Sequence, residues 1–169
     1  MIASLLQDLR QPEYIHVLIN PLPVYGLAMG IIGLIIALLQ RRRRAQIATL
    51  ALVLLSGAIA WPVAHYGEEG YDRVLSLSDD QGQAWLKVHA HRVDEFIGFF
   101  YALAAVAAAA IFAPQKWPKA ATSLTIITLL LAFVVLGMGG YIAYAGGKIR
   151  HREFRNEAAP PVPVEQDER

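Results

Sequence analysis

Four long apolar runs divide this 169-residue chain and leave few folds open to it. The runs cover residues 14–39, 45–64, 96–113 and 120–144. A helix needs about 20 mainly apolar residues to cross the hydrocarbon core of a bilayer. Charged residues make up only 17% of the chain, against about a quarter in soluble domains. The sequence therefore predicts an all-α fold, a four-helix transmembrane bundle.

Two terminal segments flank the predicted bundle, which we place at residues 14–153. In residues 1–13, four apolar side chains share one helical face, a pattern typical of a helix that lies on the membrane surface. Residues 154–169 contain three prolines and end in charges, a composition that predicts a disordered C-terminal tail.

Prolines and small residues predict how the runs pack. Asn20, Pro21 and Pro23 lie in the first third of the first run, where the prolines predict a kink or a late helix start. Three glycines further along this run predict close contact with another helix; they are Gly26, Gly30 and Gly33. In the long polar segment, residues 78–93 begin with Ser-Asp-Asp, which resembles a helix cap with acids in the first turn. They predict a short amphipathic helix in the outer loop that runs into the third span.

Charge is sorted between the two sides of the predicted bundle. The two short turns, at residues 41–44 and 114–119, hold six of the fifteen Lys and Arg residues and none of the fourteen acids. Under the positive-inside rule this predicts cytoplasmic turns and periplasmic termini, in a multi-pass protein of a bacterial inner membrane. The arginine tetrad is better explained as a topology signal than as a nucleic-acid patch, so no nucleic-acid partner is expected.

All five histidines fall on the outer side of the predicted bundle. His16, His65, His91 and His151 each lie at the end of a different run, and His89 is two residues from His91. Residues i and i+2 of a helix point about 200° apart, so one member of the His89–His91 pair at most faces the bundle axis. The five histidines are the candidate cofactor-binding residues.

Carboxylates lie at helical spacing from two of these histidines. Glu68 and Glu69 follow His65 by three and four residues, and Asp94 and Glu95 follow His91 in the same way. Residues three or four apart share a helix face, and imidazole with carboxylate suits Fe, Zn or Cu. The sequence therefore predicts a transition-metal site. Its candidate ligands are His16, His65, Glu68, Glu69, His89, His91, Asp94 and Glu95.

Haem b is the alternative cofactor, because two histidines from different helices can bind its iron axially. Glycines near the end of the fourth run could clear space for a flat ligand; these are Gly137, Gly139 and Gly140. Two further interpretations stay open. The histidines suit the interface between lipid and water without binding any ligand, or they sense pH. The absence of cysteine excludes disulfides and iron–sulfur sites.

Two functions remain. The first is a metal- or haem-binding protein with its site at the periplasmic face, active in redox or electron-transfer chemistry. The second is a non-catalytic accessory subunit that packs through its Gly and Ala faces on a larger membrane complex or on copies of itself. The runs have no charged residue at their centres, which argues against a transporter or channel. No catalytic residue is assigned, and enzymatic activity is left open.

Three stretches together resemble a widespread bacterial family of small four-span inner-membrane proteins of unknown function. They are HVLINPLP at residues 16–23, GEEG at 67–70 followed by WLKVH at 85–89, and GGYIAYAGGKIRH at 139–151. The resemblance implies a four-helix inner-membrane bundle with a polar outer loop, and it implies no settled activity. It also implies that His16, His89 and His151 are important, together with the glycines.

Overall fold

The chain forms a bundle of four long helical segments in a computed structural model, which describes residues 6–163. Each segment is long and apolar enough to cross a membrane, and no strand occurs in the described range. The segments are Pro12–Leu39, Arg43–Glu69, Asp80–Gln115 and Pro118–Arg150. The predicted all-α four-helix bundle is confirmed. The predicted interfacial segment lies partly outside the described residues, at positions 1–5.

Six α-helices build these segments, and another lies between the second and the third. They are α1 (Pro12–Ile19), α2 (Pro21–Leu39), α3 (Arg43–Ala58), α4 (Ala60–Glu69), α5 (Tyr71–Ser76), α6 (Asp80–Phe112) and α7 (Ala121–Arg150). Short 3-10 turns occupy Ala113–Gln115, Pro118–Ala120 and Arg152–Phe154. The first span is α1 with α2, the second is α3 with α4, and α6 and α7 form the third and fourth.

Proline explains why the first two spans are each broken into two helices. A proline has no N–H to donate to the carbonyl four residues earlier. Pro23 leaves the carbonyl of Ile19 without its helical donor, and α1 ends at Ile19. Pro62 does the same to Ala58, the last residue of α3. The interruption predicted for the first run is therefore present, and it separates a short outer helix from the long inner one.

Glycines bring the spans into close contact, as predicted for the first run. A Cβ added to Gly30 would lie 2.7 Å from a Val53 methyl group, and Gly26 and Gly33 approach α3 in the same way. On the other face of α3, a Cβ at Gly57 would lie 2.7 Å from the Phe100 carbonyl oxygen of α6. Helix α3 is thus held between α2 and α6 by positions that admit no side chain.

We expect Gly57→Ala to lower the free energy of unfolding by about 1–3 kcal/mol, because the new methyl group meets backbone atoms that cannot move aside. Gly98→Ala is the matched control on α6, since a Cβ there has nothing within 4 Å. It should be neutral or stabilising by about 0.5–1 kcal/mol, the helix-interior difference between alanine and glycine. Unfolding in mixed micelles measures both. Equal effects of the two variants would contradict this packing.

The amphipathic helix predicted for residues 78–93 is present as the first turns of α6, and it continues without a break into the third span, as predicted. The sequence analysis did not predict α5, the short helix that precedes it. Asp79 caps α6, and its side chain accepts from the Gly82 N–H at 2.8 Å. The sequence predicted a cap within residues 78–80, and Asp79 provides it. The third span starts earlier than the apolar run because one stripe of this segment is buried, including Trp85, Val88 and Arg92. Its charged residues Asp80, Lys87 and Asp94 stay exposed.

The C-terminal tail, predicted to be disordered from residue 154, contacts the bundle over its described part. Arg155 is 4% exposed at its side chain and donates to both carboxylate oxygens of Asp79, at 2.8 and 2.9 Å. It also donates to the Lys148 carbonyl at 2.7 Å, where α7 ends. Further along, Ala159 and Val162 pack on the apolar cluster around Trp85. Arg155 therefore links the start of α6, the end of α7 and the tail.

We expect the tail to detach when Arg155 loses its charge. A nitroxide at Ala158→Cys, in a chain that has no other cysteine, should be immobilised in the parent and mobile in Arg155→Ala. Arg152→Ala is the control, because the Arg152 side chain is 77% exposed and makes a single contact with Asp79. An immobile label in Arg155→Ala would contradict the assignment.

The same label should respond to acid. The Gly82 N–H, and after it the Arg155 guanidinium, hold the pKa of the Asp79 carboxyl below its ordinary value. A carboxylate with a lowered folded-state pKa stabilises the fold above its ordinary pKa, and this contribution is lost as the pH falls through the lowered value. The label should therefore stay immobile at neutral and mildly acid pH and become mobile only in stronger acid. In Asp79→Asn it should be mobile throughout.

Candidate functional site

Two of the five histidines meet at the outer end of the bundle. His16 of α1 and His89 of α6 have ring centres 6.3 Å apart, and their ring planes are nearly perpendicular, at 84°. His89 is 8% exposed and His16 is partly buried. The first and third spans each contribute one ring, so the pair lies between the two halves of the chain.

His16 is fixed against the second span. Its Nδ1 lies 2.8 Å from the Val63 carbonyl oxygen of α4. One helical turn further on is Gly67, where a Cβ would lie 2.8 Å from the same Nδ1. The imidazole can reach the helix backbone only because residue 67 has no side chain. A carbonyl oxygen only accepts, so Nδ1 carries the proton and donates it.

His89 is fixed against the fourth span by the same arrangement. Its Nδ1 lies 3.1 Å from the Ile142 carbonyl oxygen of α7. Gly146 follows Ile142 by four residues, and a Cβ there would lie 3.2 Å from the ring. Each histidine thus donates to a carbonyl four residues before a glycine on the facing helix. The two halves of the chain hold their histidines in equivalent ways.

A neighbouring arginine fixes α6 against α7 at the same level. Arg92, one turn after His89, is buried, and it donates to the Tyr141 carbonyl at 2.7 Å. Its guanidinium also lies 3.5 Å from the centre of the Tyr141 ring. Consecutive carbonyls of α7, at Tyr141 and Ile142, therefore accept from two side chains of α6. This double contact sets the depth at which the His89 ring lies.

The hydrogen bonds at Nδ1 determine which nitrogen of each imidazole is available to bind a ligand. In the neutral form of each ring, the proton on Nδ1 leaves a lone pair on Nε2. No hydrogen bond to either Nε2 occurs within residues 6–163. Histidines that bind metals have this pattern, in which the other ring nitrogen donates to a carbonyl or a carboxylate and fixes the ring. The pair therefore presents two nitrogen ligands whose orientation is set by backbone.

Two cavities meet at the histidine pair. The outer one, about 890 Å³, is lined by polar and aromatic residues that include Glu13, Tyr14, Tyr71 and Arg150. The inner one, about 250 Å³, is mostly apolar. Both are lined by a shared set of five residues: His16, Asn20, Ala64, His89 and Val93. A ligand at the histidines would thus have a polar side toward the outer water and an apolar side toward the bundle interior.

The other three histidines lie away from the pair. His65 is exposed, stacks on Trp61 with ring centres 5.4 Å apart, and faces Glu69 at 3.5 Å. His151 is exposed and contacts Glu153 at 2.9 Å. His91 is partly buried, and it lines neither of the two cavities at the pair.

The predicted cluster of histidines and carboxylates does not assemble. All four of its carboxylates are exposed: Glu68, Glu69, Asp94 and Glu95. Glu68 and Asp94 line the outer cavity together with the histidine pair. Within residues 6–163, no three His, Asp or Glu side chains form a group that could hold a metal ion. His65 and Glu69 do share a helix face, but no third ligand comes near them. Helical spacing places two groups on one face without saying whether that face points inward.

Sequence reasoning missed the partners of the pair. Residue spacing identified His16 and His89 among five candidates without preferring them, and the family resemblance singled them out only together with His151. The residues that distinguish the pair are Gly67 and Gly146, which follow the acceptors Val63 and Ile142 by four residues. Both glycines lie on the second and fourth spans, whereas the two histidines lie on the first and third. That pattern becomes visible only when the helices are placed side by side.

No known family model matches the chain, and no curated protein or solved structure matches it either. The resemblance to a family of four-span membrane proteins therefore stays a prediction, and the site is argued from its own geometry.

We expect nitrogen NMR of the histidine-labelled protein to show the Nδ1–H tautomer at His16 and His89, because carbonyl oxygens hold both protons. Val63 and Ile142 cannot be tested by side-chain replacement, so Gly67→Val and Gly146→Val serve instead. Each should remove the Nδ1–H signature of its own histidine and leave the other unchanged. His151→Ala is the control and should alter neither. An Nε2–H tautomer at both positions would contradict the arrangement.

Proposed function

We propose that this protein binds haem b through His16 and His89 and transfers electrons at the outer face of the membrane. The observation that carries the proposal is a pair of imidazoles from different spans, each with Nδ1 bonded to a carbonyl oxygen and Nε2 free. Two histidines of this kind can bind haem iron from its two faces.

The separation of the rings fits two imidazoles that would hold one metal ion between them. Imidazole nitrogens bind metal ions at about 2 Å, which puts the centres of two rings on opposite sides of one metal about 6 Å apart. The observed separation is 6.3 Å. Two ligands at a tetrahedral angle would bring the ring centres closer together than this.

The number of ligands favours haem over a bare ion. A stable transition-metal site in a protein normally has three or four protein ligands, and the described residues offer no such group. Haem supplies four nitrogens of its own and needs only the axial pair. The bare Fe, Zn or Cu site predicted from the carboxylates is therefore the weaker alternative.

The two cavities support a flat amphipathic ligand. The inner cavity is lined by apolar residues, with Phe100, Ile142 and Gly139 among them. Gly139 is buried, and a Cβ there would lie 3.2 Å from Val24 and 3.3 Å from Phe100. The outer cavity has a mixed polar and apolar lining, in which Arg150 is the one cation that would meet an acidic substituent, beside four carboxylates. The haem would supply one-electron redox chemistry, while the chain orients its ligands and keeps water from one side.

Orientation and location belong to the same proposal. The four spans support a multi-pass membrane protein. The distribution of basic residues favours a bacterial inner membrane with the histidine pair on the periplasmic side. Electron exchange would then occur with a periplasmic or membrane-bound partner.

The test is the absorption spectrum of the protein purified from membranes of cells supplied with a haem precursor. We expect a Soret band and, after reduction, the sharp bands of six-coordinate low-spin haem. His16→Ala and His89→Ala should each lose haem or convert it to a five-coordinate high-spin form, because one axial ligand is missing. His65→Ala and His91→Ala are matched controls and should keep the parent spectrum.

Metal analysis of the same samples separates the alternatives. Iron in a one-to-one ratio with haem supports the proposal. Stoichiometric Zn, Cu or non-haem Fe, lost in His65→Ala or His91→Ala, would instead favour the carboxylate-rich site. Protein that folds and binds neither haem nor metal would contradict both.

One observation supports the second function, an accessory subunit of a larger complex. Gly137 and Gly140 lie on an exposed face of α7, and a Cβ at either would have nothing within 4 Å. Such a face would allow another span to approach closely. In that case Gly137→Leu should abolish co-purification of the partner or dissociate a homo-oligomer, while His16→Ala and His89→Ala should not.

A further inference from the structure

The end of the bundle opposite the histidines carries a concentrated positive charge. The segments at residues 41–44 and 113–120 contribute the cations, and no acid lies in either. Five of the six cationic side chains are exposed: Arg41, Arg42, Arg44, Lys116 and Lys119. Trp117 lies beside them, 59% exposed.

The sixth cation joins the two turns into one surface, which we call the basic end. Arg43 turns inward, where it donates to the Ala110 carbonyl at 2.6 Å and lies 3.4 Å from the Thr125 hydroxyl. Ala110 lies near the end of α6 and Thr125 near the start of α7, so Arg43 holds the turn between the third and fourth spans beside the turn between the first and second.

The backbone at the basic end is strained at Arg41. Arg41 has φ of 53°, and it is the one non-glycine residue of the described chain with a positive φ. The Arg42 N–H bonds to the Ala37 carbonyl and the Arg41 N–H to the Leu38 carbonyl. This is the Schellman ending of a helix, in which glycine is the usual residue at the left-handed position. Glycine would remove the strain and also the charge.

The positive charges at the start of α3 also destabilise that helix. The positive end of a helix dipole attracts anions, and cations there are destabilising. Helix α3 nevertheless begins with Arg43 and Arg44, has no acid in its first turn and no side-chain cap. The N–H groups of its first turn therefore point into a region of positive charge with no protein acceptor in the described chain. An anion would relieve both the repulsion and the unsatisfied donors.

We propose that the basic end binds the headgroups of anionic phospholipids at the inner membrane surface, independently of any haem. The basic end lies at the membrane boundary, where an exposed tryptophan is typical of the headgroup layer, and Lys116 lies 5.3 Å from the Trp117 ring. A lipid phosphate would meet the first turn of α3 from the side while its chains lie along the apolar face of α2. Clusters of Lys and Arg directly beside a span are typical of such lipid recognition.

The test is native mass spectrometry of the full-length protein in detergent, titrated separately with cardiolipin, phosphatidylglycerol and phosphatidylcholine. We expect the anionic lipids to stay bound and phosphatidylcholine to dissociate. Arg41→Gly should weaken anionic-lipid binding about fivefold, the effect of one cation near a lipid surface, and it should fold because it relieves backbone strain. Lys119→Gln should give a similar loss without any change of backbone.

Lys87→Gln is the matched control, because it removes one exposed cation from the outer end of the bundle and should leave lipid binding unchanged. Equal retention of phosphatidylcholine, or an equal loss in Lys87→Gln, would overturn the proposal and leave the cations as a topology signal alone. Displacement of the lipid by inorganic phosphate at low concentration would also overturn it, because the site would then recognise a free anion.

Discussion

The site depends on one repeated interaction, an imidazole N–H that donates to a helix carbonyl over a glycine. A helix normally covers its carbonyls with the side chain one turn further on. Gly67 and Gly146 remove that cover at Val63 and Ile142, so that His16 and His89 can reach the backbone. Because each backbone acceptor is fixed in a helix, the depth and the tautomer of each ring are fixed as well. Because Nδ1 of each ring is bonded to a carbonyl, Nε2 is the nitrogen left for a ligand, and no other residue is needed to orient it.

The rest of the molecule supports that placement at two levels. Inside the bundle, the glycines of α2 and Gly57 of α3 bring the spans close enough for the rings to approach each other. At the outer surface, Arg155 joins Asp79 to the end of α7 and fixes the two helices that carry His89 and its acceptor. Basic residues gather at the opposite end, so the two ends of the bundle differ in chemistry. One end carries the His16–His89 pair and the other carries the exposed cations.

The apolar runs were enough to predict the four spans, because hydrophobic length and helix geometry are local properties. The break at Asn20 and the cap at Asp79 were predicted for the same reason. The site was predicted only in part: spacing placed His89 and His91 on opposite faces but could not say which face was inward. Arg92 and Trp85 mark the buried face of α6, and only the packed structure shows it. The pairing of His16 with His89 depends on contacts between distant spans, which no local pattern encodes.

The central claim is that two histidines from separate spans share one ligand. Pulsed electron paramagnetic resonance of the oxidised, haem-loaded protein tests it most directly when the histidines carry ¹⁵N, because the spectrum then counts histidine nitrogens bound to iron. We expect couplings from two histidine nitrogens in the parent protein and from at most one in His16→Ala or His89→Ala. A parent spectrum with one coupled histidine or none would contradict the account.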